Sequence, residues 1–269
     1  MKRLLKHYFS LLLVISGLTS SLSAFAGVDT IKKRGTLRVG VEPGFLPFEM
    51  RTPKDEWVGF DVEMIQAFAA SLGVKADFVA TKWDGIIPGL MAGKYDVIAS
   101  GMTITEDRAK AVLFSDPYYA AGLKVLLTAQ GGTQFKTLKD LDKPTVTVVV
   151  KLGTTGDIFA TKELKQAKLR RLDGEADAAQ SVLLGKADAF IYDKPYIDIY
   201  ASTQKAKVAL LPVQLTTENF ALAAKKSDTE LVQAFNAFLK DWRAKGGYDK
   251  AFKANFEDLT WKLQFPNIF

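Results

Sequence analysis

The chain has 269 residues, with 36 Lys and Arg against 30 Asp and Glu, one histidine, no cysteine and a formal net charge of +6. The lack of Cys excludes disulfides and a thiol nucleophile, and a single imidazole, His7, leaves little room for a Ser–His–Asp triad or a His-ligated zinc.

His7 lies in a segment that reads as a secretory signal. Lys2, Arg3 and Lys6 precede an apolar core at 9–18 (FSLLLVISGL), followed by Ala24-Phe25-Ala26, an A-x-A cleavage site. The apolar run is shorter than the roughly 20 residues that span a bilayer. Residues 1–26 are therefore expected to leave as a signal peptide cut after about Ala26, with the mature protein in the periplasm. Cleavage removes His7 and leaves 33 basic residues against 30 acidic ones, a net charge of +3. Residues 29–269 carry no long basic block, so the charge does not point to nucleic acid. About 240 residues remain, enough to bury a core in two lobes.

Predicted strands and helices alternate, which implies α/β lobes with mostly parallel sheets. Thr36 to Val41 reads as the first strand. Phe60 to Leu72 reads as a helix with Val62, Ile65, Phe68, Ala69 and Leu72 on one face and Gly73 as its stop. Residues 74–79 and the buried run Lys94 to Ser100 read as strands. Thr105 suits a helix N-cap. Thr145 to Val150 (TVTVVV), strongly β-branched, opens the second lobe. Helices fit 155–165, 175–184 and 194–203, and strands fit 168–172, 187–192 and 207–211. Phe220 to Ala223 returns as a strand. Ser227 with Glu230 reads as a capping box opening a long helix, whose Leu231, Phe235, Phe238, Leu239 and Trp242 form a core stripe. A last short helix, about 248–255, leads to an aromatic-rich tail ending at Phe269.

Residues 90–101 (LMAGKYDVIASG) echo 182–193 (VLLGKADAFIYD). Each reads as a helix stopped by a glycine and followed by a buried strand, although two ordinary helix–strand junctions can look alike by chance. Both strands end in polar groups, and in α/β folds ligands sit outside the carboxyl ends of strands. Past the first come Ser100, Gly101, Thr103 and Arg108, two hydroxyls, a flexible backbone and a guanidinium that suit a small carboxylate. Arg108 equally reads as a surface residue paired with Glu106 or Asp107. Gly153-Thr154-Thr155 lies between a strand and a helix, where exposed N–H groups bind anions, but it lacks the glycine spacing and Lys-Ser/Thr end of a phosphate loop. Asp193 ends the second echo strand and also suits a helix cap ahead of Lys194-Pro195. Trp83 stands in a turn-like setting before Asp84-Gly85.

Seven segments occur in order: GFLPFEM (44–50), GFDVEM (59–64), WDGIIPGL (83–90), SGMTITEDR (100–108), FSDPYY (114–119), KLGTT (151–155) and IYDKP (191–195). In these the mature chain resembles the periplasmic polar-amino-acid-binding proteins of ABC importers, of the glutamine, arginine and lysine/arginine/ornithine/histidine type. The resemblance implies a two-lobe, type II binding-protein fold: a discontinuous first lobe of 29–117 plus 221–269, a second lobe of 123–215, and hinge crossings at 118–122 and 216–220. It implies that Arg108 holds a ligand α-carboxylate, that Thr103 adds its hydroxyl and N–H, and that the Thr154-Thr155 turn completes that site from the second lobe. Gly101 and Asp193 then take the α-ammonium, Phe45 and Trp83 wall the aliphatic part, and Tyr192 adds a hydroxyl or a ring. Glu42 and Lys151 face the ligand side chain. An acid alone favours arginine or lysine, whereas acid and lysine together suit an amide, which puts glutamine first and arginine or lysine next. Alternatively Glu42 and Lys151 pair with each other and leave a tolerant polar pocket. The expected protein is a monomer that is not an enzyme, needs no cofactor or metal, and has as partners a free L-amino acid and a membrane-embedded ABC permease. The rival expectation is an exported dehydratase acting on prephenate or arogenate, with Glu42 and Asp193 as its carboxyl groups.

Overall fold

The computed structural model describes residues 27–204 and 206–265; the expected signal peptide at 1–26 and the end of the aromatic tail lie outside them. Helix α1 (Val28–Arg34) leads into β1 (Thr36–Val41), and a small hairpin of β2 (Met50–Arg51) and β3 (Trp57–Val58) precedes α2 (Phe60–Ser71). Then come β4 (Lys75–Ala80), α3 (Trp83–Met91), β5 (Val97–Ile98), α4 (Glu106–Ala111) and β6 (Val112–Phe114). Strand β1 pairs in parallel with β4 and β5. One more strand of this sheet arrives from far along the chain: Ala223–Lys225 lies antiparallel between β5 and β6.

The second sheet is built from contiguous sequence. After β7 (Tyr119–Ala121) come β8 (Leu123–Thr128), two one-turn helices α5 (Gly131–Gln134) and α6 (Leu138–Leu141), and β9 (Thr147–Lys151). Helix α7 (Thr155–Glu163), β10 (Lys168–Leu172), α8 (Glu175–Leu183), β11 (Ala189–Asp193), α9 (Lys194–Thr203) and β12 (Val208–Leu210) follow. The strand order is β10-β9-β11-β8-β12, with β9 parallel to both neighbours. Val148, Val149 and Val150 are fully buried, as a strand covered on both faces requires.

Between the sheets, β13 (Glu218–Phe220) pairs antiparallel with β7 as a separate ribbon. The two crossings run in contact, since a Cβ on Gly122 would stand 2.1 Å from the Thr216 carbonyl oxygen. Beyond β14 (Ala223–Lys225), α10 (Thr229–Ala244) and α11 (Gly247–Phe252) return to the first lobe. There Phe235 meets Phe68 edge to face at 5.1 Å.

Several elements differ from their sequence reading. The run 94–100 keeps only Val97–Ile98 as strand, because the chain leaves the ladder to form the loop at Ser100–Gly101. Phe220 to Ala223 spans the end of β13 and the start of β14, two strands in different sheets. The capping box at Ser227 and Glu230 does not form. A turn closed by Asp228 N–H on the Lys225 carbonyl makes Asp228 the N-cap residue, and the Ser227 hydroxyl donates to Asp228. The last helix ends at Phe252 and gives way to a π turn at Lys253–Glu257. Gly93 and Gly185 each follow a helix end with a left-handed φ, +75° and +66°, so the two echo segments turn alike. No helix of the described residues is long and apolar enough to cross a membrane.

Candidate functional site

The carboxyl ends of β1, β5, β9 and β11 point into the gap between the lobes. All the residues singled out above except Lys151 line one pocket there. Its cavity volume is only about 10 Å³, room for about one water, so the two walls meet directly.

The first wall is a loop gripped from beneath. Gly101 has φ +52°, and a Cβ there would stand 2.3 Å from the Phe45 ring, so only glycine fits. Its N–H donates to Asp61 at 3.0 Å, and the Tyr118 hydroxyl donates to the same oxygen at 2.6 Å. The Ser100 hydroxyl donates to Glu49 and accepts the Glu42 N–H at 3.0 Å. Ser100 therefore faces inward as a brace. Burial pushes the Asp61 carboxyl up to about 7 and Glu49 well above the ordinary carboxylate range. Neither acid was singled out from the sequence, although both lie in the segments GFLPFEM and GFDVEM.

Thr105 caps α4 by accepting the Arg108 N–H at 3.2 Å, which aims the Arg108 side chain into the gap. Its guanidinium donates to the Thr103 carbonyl at 2.8 Å and to the Gly153 carbonyl across the gap at 3.5 Å, and lies 5.1 Å over the Trp83 ring. Asp107 is taken by Lys110 instead, so the surface-pair reading of Arg108 fails. Burial presses the Arg108 pKa down, while Asp193 and Glu218 push the other way. Trp83 opens helix α3, contrary to the turn-like expectation. Its backbone N–H donates to Glu42 at 3.1 Å and its indole to the Gly153 carbonyl at 3.1 Å.

The second wall supplies Thr154, Thr155, Tyr192 and Asp193. The Thr154 hydroxyl accepts the Asp157 N–H at 3.4 Å and donates to the Lys151 carbonyl, so it shapes the turn. The Tyr192 ring meets Phe45 edge-on at 5.8 Å. Asp193 occupies the N-cap position of α9 without a side-chain cap bond, which removes the capping alternative. Its Oδ1 is buried with no hydrogen-bond partner. Burial first, then the Glu218 charge, push its carboxyl up to about 8, against the pull of Arg108 and Lys151. A buried, unpaired acceptor beside a guanidinium is costly and awaits a donor.

Lys151 corrects one expectation. It is only 1% exposed and pairs with both Glu42 and Glu175, the latter at 2.7 Å, so it is no free pocket donor. A buried ammonium needs compensating carboxylates, and two are present. Burial pulls its pKa down, but Glu175 and Glu42 more than offset this and hold it above its ordinary value. Glu175 was read only as a helix start, where an acid is too common to signal a role. Glu218 was also missed. Its Oε2 accepts from the hydroxyls of Thr103 at 3.0 Å and Thr155 at 2.9 Å, one from each wall. A charged residue in a predicted crossing was the available signal.

The chain matches known proteins along most of its length. The family of bacterial extracellular solute-binding proteins, family 3, matches residues 37–258. An L-arginine-binding protein of Pseudomonas aeruginosa is 31% identical over 79% of this chain and 84% of its own. A cyclohexadienyl dehydratase of the same organism is 30% identical over 80% of this chain and 79% of its own. A crystal structure of a binding component of an ABC transporter from Wolinella succinogenes, complexed with lysine, superposes with a TM-score of 0.81 at 41% identity, covering 85% of this chain and 99% of that one. With a two-lobe α/β fold and a polar pocket between the lobes, the chain belongs to the bacterial extracellular solute-binding proteins of family 3.

Proposed function

We propose that the protein captures a free polar L-amino acid between its lobes and delivers it to a membrane-embedded ABC permease. One observation carries this reading: a half-buried guanidinium, Arg108, and a buried carboxyl with an unmatched oxygen, Asp193, converge in one interlobe pocket. They complement the two charges of a zwitterion. In this reading Arg108, Thr103 and the Thr155 amide take the α-carboxylate, while Asp193 and the Gly101 carbonyl take the ammonium. Phe45, Trp83 and Tyr192 wall the aliphatic stem, Ser100 and Thr154 brace the two loops, and Glu42 with Lys151 bounds the side chain. The lobes are assigned to 29–117 plus 221–269 and to 123–215, hinged at 118–122 and 216–220, in a monomer exported to the periplasm after cleavage near Ala26. Charge-assisted hydrogen bonds contribute ~1.5–3 kcal/mol each. Several of them support micromolar binding, about −8 kcal/mol.

Two carboxylates share the single ammonium of Lys151, so the far end of the pocket accepts more hydrogen bonds than it donates. Glutamine fits through its amide NH₂. Arginine and lysine gain from the surplus negative charge, in line with the relatives that bear their names. The test is a thermal-shift screen of purified protein, refolded to strip carried ligand, against each amino acid. A ligand at 100 times its Kd adds about 2.7 kcal/mol. A shift with glutamine alone supports the amide reading, one with arginine or lysine supports the charge reading, and no shift with any amino acid removes the binding-protein reading.

The dehydratase alternative has one observation in its favour besides the similar cyclohexadienyl dehydratase. Asp193, pushed up to about 8, holds its proton at neutral pH, as a general acid must. Incubation with prephenate or arogenate decides: an aromatic product establishes an enzyme, and unchanged substrate dismisses one.

A further inference from the structure

Glu218 lies in the ribbon of β13 and β7, on the second crossing between the lobes. Its Oε2 holds the Thr103 hydroxyl of one wall and the Thr155 hydroxyl of the other. Its Oε1 accepts from the Thr216 hydroxyl at 2.8 Å, and that hydroxyl in turn accepts the Leu123 N–H at 3.0 Å. Its own crossing through Thr216 and the other through its pairing with Ala121 thus fix its position. Half-buried Arg108 senses Asp193 first and Glu218 second among the charges that favour its cationic form. A carboxylate of the protein itself therefore holds one hydroxyl from each wall, within electrostatic reach of the guanidinium.

A hydroxyl carries one proton. While Thr103 and Thr155 donate to Glu218, neither can donate to a ligand. Glu218 stands behind the cavity and does not line it, and a ligand carboxylate brought to the same hydroxyls meets a like charge that repels it. We propose that Glu218 is a resident competitor for the two hydroxyls that face the α-carboxylate position, so that ligand capture exchanges one carboxylate for another on them. This rests on the amino-acid-binding reading above.

The exchange has two consequences. Apparent affinity is lowered by the fraction of molecules in which Glu218 holds both hydroxyls. Selectivity rises, because an amine or an α-amide that lacks a carboxylate cannot replace Glu218 on the two hydroxyls. Since Thr216 lies on one crossing and Ala121, the β7 partner of Glu218, on the other, displacement of the Glu218 carboxylate is also felt at the hinge.

Glu218→Gln keeps the shape and removes the charge. Calorimetric titration of wild type and variant with L-arginine, L-glutamine, L-argininamide and L-glutaminamide tests the exchange. The free amino acid that binds the wild type is expected to bind the variant at least about fivefold more tightly, with no gain for the α-amides. Unchanged or weaker binding of the free amino acid overturns the proposal, and so does an equal gain for its α-amide, which would trace the effect to a looser hinge. If the wild type binds no amino acid, the function proposed above falls and this inference with it; a wild type that binds without any gain in the variant removes only the role of Glu218. Should Glu218→Gln fail to fold, Thr216→Val loosens the anchor of Glu218, and a smaller gain confined to carboxylate ligands is expected; no gain there overturns the proposal.

Discussion

At one end of the cleft the charges are left able to change partners; at the other they are locked. Asp193 keeps a buried oxygen without a hydrogen bond, and Thr103 and Thr155 hold a carboxylate that belongs to the β7–β13 ribbon. No ion pair joins Arg108 to Asp193 among the described residues. At the far end Lys151 is enclosed by Glu42 and Glu175 and is almost inaccessible. The groups that the proposed reading sets against the common part of an amino acid carry incomplete or exchangeable bonds. Groups that only shape the pocket satisfy one another.

The contrast is broken most severely at its locked end. Lys151→Met strands Glu42 and Glu175 in a buried site, and breaking a buried ion pair costs roughly 3–5 kcal/mol. Urea denaturation followed by tryptophan fluorescence should show a loss of that order. A loss within ordinary surface scatter would show that the cluster is solvated and the two ends are alike. At the exchangeable end the effect moves from stability to binding. Arg108→Ala and Asp193→Ala should each weaken amino-acid binding by about tenfold or more, ~1.4 kcal/mol. Asp193→Ala should melt no lower than the wild type, because it removes an unsatisfied buried group. Wild-type affinity in either folded variant would take that residue out of the site.

The smallest effect is a proton count. The carboxyls of Asp61 and Asp193 lie at about 7 and about 8 in the folded protein, both raised from 3.8. Folding therefore takes up protons between these limits. The stability they contribute is fully present below 3.8 and is lost as pH rises through 7 and 8. A ligand ammonium favours the carboxylate of Asp193, so binding near neutral pH should release up to one proton. Titrations in buffers of different ionisation enthalpy measure it. Binding enthalpy independent of buffer would separate the ammonium from Asp193.

The sequence made some of this legible and hid the rest for physical reasons. The TVTVVV run reads as a strand wherever it stands, because β-branching acts locally. Thr105 and the glycine-stopped helices are legible for the same reason, their partners lying within a few residues. The roles of Glu49, Asp61, Glu175 and Glu218 depend on contacts across 24 or more residues, as with Lys151 to Glu175 and Thr103 to Glu218. Nothing in their local pattern separates a buried brace from an ordinary surface acid. Lys151 shows the limit well: the resemblance located it beside Glu42, and only the position of Glu175 shows that its charge is already matched.

The place of β14 bears on how such a chain comes into being. The five strands of the second sheet all lie between Leu123 and Leu210, so that sheet is complete in sequence well before the chain ends. The first sheet is not, because β5 and β6 meet only through Ala223–Lys225. A chain emerging from its N-terminus carries an open slot beside β5 until those residues appear, and unpaired strand edges are where misassembly begins. The loop at Ser100–Gly101 leaves from that same strand. Its final shape is thus among the last to be set, and a chain truncated before residue 223 would keep its second lobe while losing half of its cleft.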